Sequence, residues 1–168
     1  MKLCLSEIMK ELNEILRAKQ SLHYEIDSSA RLKYYDGEEV DRSFNFEAKM
    51  NELNELADKE MKYKFILANT NSKTILIGYK EKITISEALI KLALLSKKLS
   101  FYKSYQVRKQ IEKKLIPAKF QGDQDRVEVT ERLYDPKKID EKVLEISREV
   151  SKLQVAIDKT NLFTEVEI

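Results

Sequence analysis

Apolar residues recur every three to four positions in four long segments of this chain, the spacing of a helix with one buried face. The turn dipeptide Asp36-Gly37 follows the first segment, and Pro117 follows the third. The pattern predicts helices from about Ser6 to Tyr34, from about Phe44 to Ala68, from after Thr84 to before Pro117, and from Asp135-Pro136 onward. The chain is therefore expected to be mostly helical.

Short patterns at the ends of these helices occur twice. "KLCLSE" at residues 2–7 and "KITISE" at residues 82–87 match at an offset of eighty. Thr-Asn-x-x-Thr occurs at residues 70–74 and again at 160–164, at an offset of ninety. We interpret these matches as an internal repeat, covering about residues 2–77 and 82–168 of a single domain.

The segment between the two halves alternates apolar and polar residues around Gly78, which predicts a short β-hairpin. Its expected pairs are Ile75 and Ile77 against Ile83 and Ile85. Through the repeat, "KLCL" at the start and "TEVEI" at the end of the chain correspond to its two strands, so both are expected to be short, adjacent strands. The predicted fold is mostly α: an antiparallel four-helix bundle of two pseudo-symmetric helical hairpins, with a small β-hairpin or sheet at one end.

Composition fits this picture. The 168 residues are 42% hydrophobic and 36% charged, and the net charge of +2 gives no global attraction to nucleic acid or anionic lipid. No apolar run approaches the ~18 residues of a membrane-spanning helix. The start "MKLCLSEIMKEL" lacks the apolar core of a secretion signal, so we expect a cytoplasmic protein.

Catalytic residue patterns are scarce. His23 is the single histidine, and no Glu-x-x-His occurs, which argues against a di-iron carboxylate site. Cys4 excludes an internal disulfide because it is alone, and with no histidine nearby in sequence it is interpreted as a small core residue. Three glycines are too few for a phosphate-binding loop. We therefore predict no enzyme, no cofactor and no metal site.

The Thr-Asn pairs have two interpretations. Through the repeat, Asn71 and Asn161 are expected to lie near Ser6 and Ser86, where the four residues form a candidate polar site at one end of the bundle. The alternative is structural, since Asn tolerates the backbone of a helix end and both side chains satisfy free backbone groups there. We favour the helix-end interpretation, because a fold does not by itself imply a site.

Residues 97–119 carry the strongest local charge, with eight Lys or Arg and one acid. Aromatic residues are interleaved with the cations, which is the composition needed for phosphate contact and base stacking. The candidate nucleic-acid contacts are Lys98, Tyr105, Lys109 and Lys113. The cations do not share one helical face, so a solvated helix surface is the favoured interpretation.

The apolar line of the third predicted helix changes side near its end. Val107, Ile111 and Leu115 form a second line, which we interpret as an interface with the long loop from Lys119 to Tyr134 or with a second subunit. Within that loop, the residues expected to dock on this line are Val127, Val129 and Leu133.

Three stretches, "MKLCLSEIMKEL", "ILANTNS" followed by "ITISEALIKLALLSKKLS", and "KLQVAIDKTNLFTEVEI", resemble a family of small bacterial proteins, some of which are called septicolysin. The resemblance implies a mostly helical, cytoplasmic bacterial protein with no assigned catalytic residue. The name implies membrane lysis, but we find no secretion signal, no long apolar helix and no large uncovered apolar face.

These observations favour a non-enzymatic helical bundle that self-associates and binds a protein partner. The alternative is an accessory protein that contacts nucleic acid through residues 97–119. A membrane-lytic protein is the least favoured of the three.

Overall fold

The computed structural model describes residues 2–107, 110–117 and 124–168. Within these residues the chain is mostly helical, with four helices and two antiparallel sheets of two strands each. The elements are β1 (Lys2–Cys4), α1 (Leu5–Ser29), α2 (Phe46–Lys73), α3 (Ile85–Ser104), β2 (Ile111–Ile116), β3 (Arg126–Glu131), α4 (Pro136–Phe163) and β4 (Glu165–Glu167). The chain divides into two compact units: the first joins the residues up to Glu87 to Ala156–Ile168, and the second is Ala88–Val155.

In the first unit, α1 and α2 pack against each other as an antiparallel pair. Leu22, Ile26 and Leu53 form their buried core. Three polar contacts joining the helices fix the antiparallel direction: Tyr63 to Glu11, Lys19 to Glu60 at 2.6 Å, and Lys49 to Glu25 at 3.0 Å.

The first helix is shorter than predicted. It ends at Ser29 rather than near Tyr34, and the Ser28 hydroxyl donates to the Glu25 carbonyl in its last turn. Beyond Ile26, the next positions on the buried face lack large apolar side chains, so nothing holds further turns against α2.

The two ends of the described chain form a small sheet, as predicted. β1 pairs with β4 in antiparallel register, with Leu3 opposite Val166. The largest fully buried side chains of the first unit lie where strands meet helices, and they are Leu5, Ile8, Ile85 and Thr160.

The hairpin predicted between residues 75 and 85 is wrong in its pairing. A single bridge joins Ile75 to Thr84, and Ile85 is the first residue of α3. Thr84 and Glu87 form a capping box: the Thr84 N–H donates to the Glu87 carboxylate at 2.7 Å, and the Glu87 N–H donates to the Thr84 hydroxyl at 3.2 Å. The helix start therefore takes Ile85, which the prediction assigned to a strand.

The two strand-to-helix junctions of the first unit make matching hydrogen bonds at the offsets found in the sequence. At each junction, a hydrogen bond joins a helix N-terminus to the end of another helix, and a Glu side chain accepts a second hydrogen bond from a backbone N–H. At the first junction, the Leu5 N–H donates to the Thr164 carbonyl (3.1 Å) and the Cys4 N–H donates to Glu7 Oε2 (2.8 Å). At the second, the Ile85 N–H donates to the Thr74 carbonyl (2.9 Å) and the Thr84 N–H donates to Glu87 Oε2 (2.7 Å). These bonds lower the pKa of both carboxyl groups.

In the second unit, the third helix ends twelve residues before Ile116, the last residue that the prediction allowed. It stops at Ser104, and residues 111–116 form β2 instead. Every residue of β2 pairs with one of β3, from Ile111 opposite Glu131 to Ile116 opposite Arg126. The regular alternation of β3, "RVEVTE", supplies this partner, and the resulting ladder outweighs the helix propensity of Lys, Glu and Leu in β2.

None of the described helices combines the length and the apolar content needed to cross a membrane.

Candidate functional site

The four residues of the candidate polar site differ in burial. Asn161 is 9% exposed on α4, whereas Asn71 is partly exposed on α2. Ser6 lies in the first turn of α1, within 2.9 Å of the Cys4 sulfur, and Ser86 lies in the first turn of α3. Among described side chains, no hydrogen bond joins any two of the four. The polar site therefore stays a prediction.

The neighbouring Thr160 makes the contacts that sequence reasoning missed. Its hydroxyl, fully buried, donates to the Ala156 carbonyl at 2.7 Å and accepts the Ile77 N–H at 2.9 Å. The Thr164 N–H donates to the Thr160 carbonyl, which closes the last turn of α4. At this end of the chain, Thr-Asn-x-x-Thr thus ends a helix and holds the 74–84 turn.

The candidate nucleic-acid contacts lie on different elements. Lys98 is exposed on α3, Lys113 is in the middle of β2, and Lys109 lies outside the described residues. Lys98 is close enough to Glu145 to help lower the pKa of that carboxyl, although the main cause is a hydrogen bond from Lys142. No described element presents these lysines together as one basic row.

Tyr105 is held in an aromatic cluster beyond the end of α3. Its ring centroid is 5.0 Å from that of Phe101 and 5.6 Å from that of Tyr134. The Tyr134 hydroxyl also donates to the Tyr105 carbonyl at 3.0 Å. Both neighbours occupy ring surface that a stacked base requires.

The predicted helical line of Val107, Ile111 and Leu115 is wrong, because β2 is a strand. Ile111 and Leu115 instead lie on one face of the two-stranded β2–β3 ribbon, two positions from Lys113 in each direction. Val107 is partly buried and precedes the ribbon. The docking predicted for Leu133 is also wrong, since that side chain is 95% exposed.

The ribbon face that carries Ile111 and Leu115 is apolar and open. Val127 lies opposite Leu115, and Val129 lies opposite Lys113. The four apolar residues are 49–58% exposed, and we call them the ribbon face. The same side also carries one cation, Lys113, and one acid, Glu131.

The opposite side of the ribbon is mainly polar. An ion pair on this side joins Arg132 to Glu112 at 3.2 Å. The alternation of the two strands places the following residues there: Glu112, Lys114, Ile116, Arg126, Glu128 and Thr130. The ribbon is therefore amphipathic.

A second open apolar surface lies on α3, which contradicts the expectation that no large apolar face is uncovered. Ile90, Leu94 and Phe101 are 63%, 62% and 60% exposed. Their spacing of four and seven residues places them along one line of the helix. Sequence reasoning assigned α3 one buried stripe and overlooked this second line.

Metal ligands are not gathered together in the described part of the chain: no group of three His, Cys, Asp or Glu side chains is placed to hold an ion. Its lone cysteine, Cys4, is partly buried at the start of α1.

No protein-family model matches this chain, and no curated protein matches it. A crystal structure of a functionally unknown conserved protein from Corynebacterium diphtheriae is similar to it, with a TM-score of 0.72 and 21% sequence identity. The match covers 99% of this chain and 100% of that chain. At this identity the similarity establishes the fold alone.

Proposed function

We propose that this protein is a non-enzymatic helical bundle of two pseudo-symmetric hairpins that self-associates through its ribbon face and binds a protein partner. The observation that carries the proposal is the half-exposed state of four apolar residues on one side of a two-stranded ribbon. Isolated two-stranded ribbons are marginally stable in water, so a second molecule bound over the apolar side stabilises the pairing of the strands as well.

The size of the ribbon face sets the expected strength. Four half-exposed aliphatic side chains leave roughly 300 Å² of apolar surface open, within the range of functional patches on monomers. Two such faces bury about half of the ~1,200 Å² typical of a stable complex. We therefore expect a weak dimer whose population depends on concentration.

The charges beside the ribbon face favour a second copy as the cover. Suppose two ribbons stack about a two-fold axis parallel to their strands. Each β2 then lies over the other copy's β3, and Lys113 lies over Val129 of the second copy, two residues (about 7 Å) along the strand from its Glu131. A two-fold axis across the strands at the centre of the face, where Lys113 pairs with Val129, places Lys113 over Lys113, and like charges at that distance repel. The face is complementary to itself in the first arrangement.

Sedimentation of the full chain over a micromolar-to-millimolar dilution series tests the proposal. The average mass is expected to rise from 19.7 kDa toward twice that value. Val129→Lys places a charge on the ribbon face and is expected to keep the protein monomeric. Thr130→Lys, the matched control on the opposite side, is expected to behave as the wild type.

A charge exchange tests the arrangement of the two copies. Lys113→Glu alone is expected to weaken the dimer, and adding Glu131→Lys is expected to restore it. A wild type that stays monomeric at every concentration contradicts the proposal. Equal effects of Val129→Lys and Thr130→Lys also contradict it.

Nucleic-acid contact through Lys98, Tyr105, Lys109 and Lys113 is the alternative function. The packing of Tyr105 against Phe101 and Tyr134 speaks against it, because a stacked base competes with those rings for the Tyr105 surface. Fluorescence anisotropy of a labelled single strand at low salt tests it, and an unchanged signal rejects it.

A further inference from the structure

We propose that the exposed line of α3 is a docking surface for an amphipathic helix of a partner protein, one that carries a carboxylate within its apolar seam. We call this surface the α3 stripe; it comprises Ile90, Ala93, Leu94, Lys97 and Phe101. The proposal deepens the partner-binding half of the proposed function, and its test does not require self-association.

The α3 stripe lies on a different side of the helix from the contacts with α4. Lys91 reaches Glu149 of α4 at 3.9 Å, and Gln106, beyond the end of α3, donates to Asp140 at 2.7 Å. Positions 92, 95, 99 and 102 on the inner side are partly buried. Because α3 is apolar on both sides, it has the composition of a helix that is covered all round.

Phe101 gives the stripe a fixed aromatic anchor. Its ring meets that of Tyr102 edge-on, with centroids 6.0 Å apart, and it also contacts the ring of Tyr105. The side chain is therefore held in place while 60% of the residue remains exposed. Aromatic residues that are positioned before binding are typical centres of protein interfaces.

The first helix provides an internal comparison. At the offset of eighty, where both helix starts make the same capping hydrogen bonds, α1 carries only polar residues along the equivalent line. The residues that correspond to the stripe are Lys10, Asn13, Glu14, Arg17 and Ser21. A helix with this type of start therefore folds without an apolar outer line, and folding alone does not account for the stripe of α3.

The charges of α3 define the chemistry of the partner. Residues 88–104 contain four lysines and no acid. Lys97 lies within the stripe, between Leu94 and Phe101 on the same helical line. A cation at a seam position of two packed helices specifies the partner, because burying it unpaired is costly. A carboxylate in the facing seam meets that requirement.

Two other occupants fit less well. The first is the α3 helix of a second copy, related by a two-fold axis. In that arrangement the two Lys97 side chains come within about one helical turn of each other, and residues 88–104 contain no acid to neutralise their charges. On an anionic membrane, Lys97 is in the middle of the apolar face, where acyl chains lie, rather than at its polar edges.

Fluorescence anisotropy with two labelled synthetic helices tests the proposal. Both peptides carry leucines along one seam; the acidic peptide has one Glu at the centre of the seam, and the basic peptide has Lys there. The wild type is expected to bind the acidic peptide roughly tenfold or more tightly than the basic one. Lys97→Glu is expected to reverse that preference, an effect that unfolding does not produce.

A triple variant gives α3 the residues of α1: Ile90→Lys, Leu94→Glu and Phe101→Ser. It is expected to keep the far-UV circular dichroism of the wild type and to lose binding of both peptides. Val129→Lys on the ribbon face is expected to bind the acidic peptide normally, so failure of self-association and failure of this proposal give different results.

Three outcomes overturn the proposal. The first is no binding of the acidic peptide by the wild type, and the second is equal binding of the two peptides. In the third, the wild type binds phosphatidylserine vesicles, the triple variant does not, and neither peptide binds. That result assigns the stripe to a membrane surface.

Discussion

Replacing Thr160 with valine tests the contact that holds the 74–84 turn to α4. The substitution keeps the shape of the side chain and removes its hydroxyl, which is fully buried and accepts the Ile77 N–H at 2.9 Å. The hydrogen bond to the Ala156 carbonyl is also lost. The Ile77 amide is then left without its acceptor.

The expected loss follows from the cost of an unsatisfied donor. Leaving a buried N–H without a partner destabilises a protein by about 1–3 kcal/mol. Ile77 is 38% exposed, so water reaches part of its surroundings and the lower half of that range applies. We expect Thr160→Val to lower the free energy of unfolding by about 1–2 kcal/mol.

Urea unfolding followed by far-UV circular dichroism measures this loss. Thr70→Val is the matched control, since Thr70 occupies the corresponding helix end at the offset of ninety and is only partly buried. Its change in free energy is expected to stay within about 0.5 kcal/mol. Amide hydrogen exchange at Ile77 is expected to become faster in Thr160→Val and to remain unchanged in Thr70→Val. Equal stability of the two variants, with unchanged exchange at Ile77, refutes the reasoning.

Three further predictions concern stability. Hydrogen bonds from Lys19, at 2.6 Å, and then from Lys64 lower the pKa of Glu60 from 4.5 to about 2, so the stabilisation is present above pH 4.5 and is lost as the pH falls toward 2. In urea titrations, the free energy of unfolding of Glu60→Gln is expected to fall less steeply over this pH range than that of the wild type. The exposed control Glu55→Gln is expected to follow the wild type. Leu153→Ala, at a fully buried position, is expected to cost about 2–5 kcal/mol in the same assay, against less than about 1 kcal/mol for the half-exposed Leu144→Ala. Thr84→Ala removes the hydroxyl that accepts the Glu87 N–H, so a loss of about 1 kcal/mol is expected, and no measurable loss contradicts the capping role.

Local patterns predicted the parts of the fold that depend on neighbouring residues. Thr84 and Glu87 are three positions apart, so the capping box is visible in the sequence and gives the start of α3 correctly. The strands at the two chain ends, predicted through the repeat, are confirmed by the pairing of β1 with β4. The capping box requires only residues that are close in the chain, whereas the terminal strands require the repeat.

Long-range pairing accounts for the main error. Residues 111–116 contain charged residues that suit a helix as well as a strand, and only their pairing with residues 126–131 decides between the two. The alternation of Val127 and Val129 is visible in the sequence, but alone it also fits a loop that docks on a helix. The candidate interface residues Ile111 and Leu115 were therefore placed on the wrong element, although both are exposed apolar residues.

The differences between the two halves of the chain are more informative about function than their similarities. Matching hydrogen bonds at the two strand-to-helix junctions serve folding, because each satisfies a backbone group at a helix start. The ribbon face and the α3 stripe both belong to the second half, and the corresponding line of α1 is polar. Open apolar surface opposes solubility and does not stabilise the isolated chain, so these two surfaces require a cause outside that chain. We therefore expect substitutions that make the second half resemble the first to preserve the fold and to abolish association.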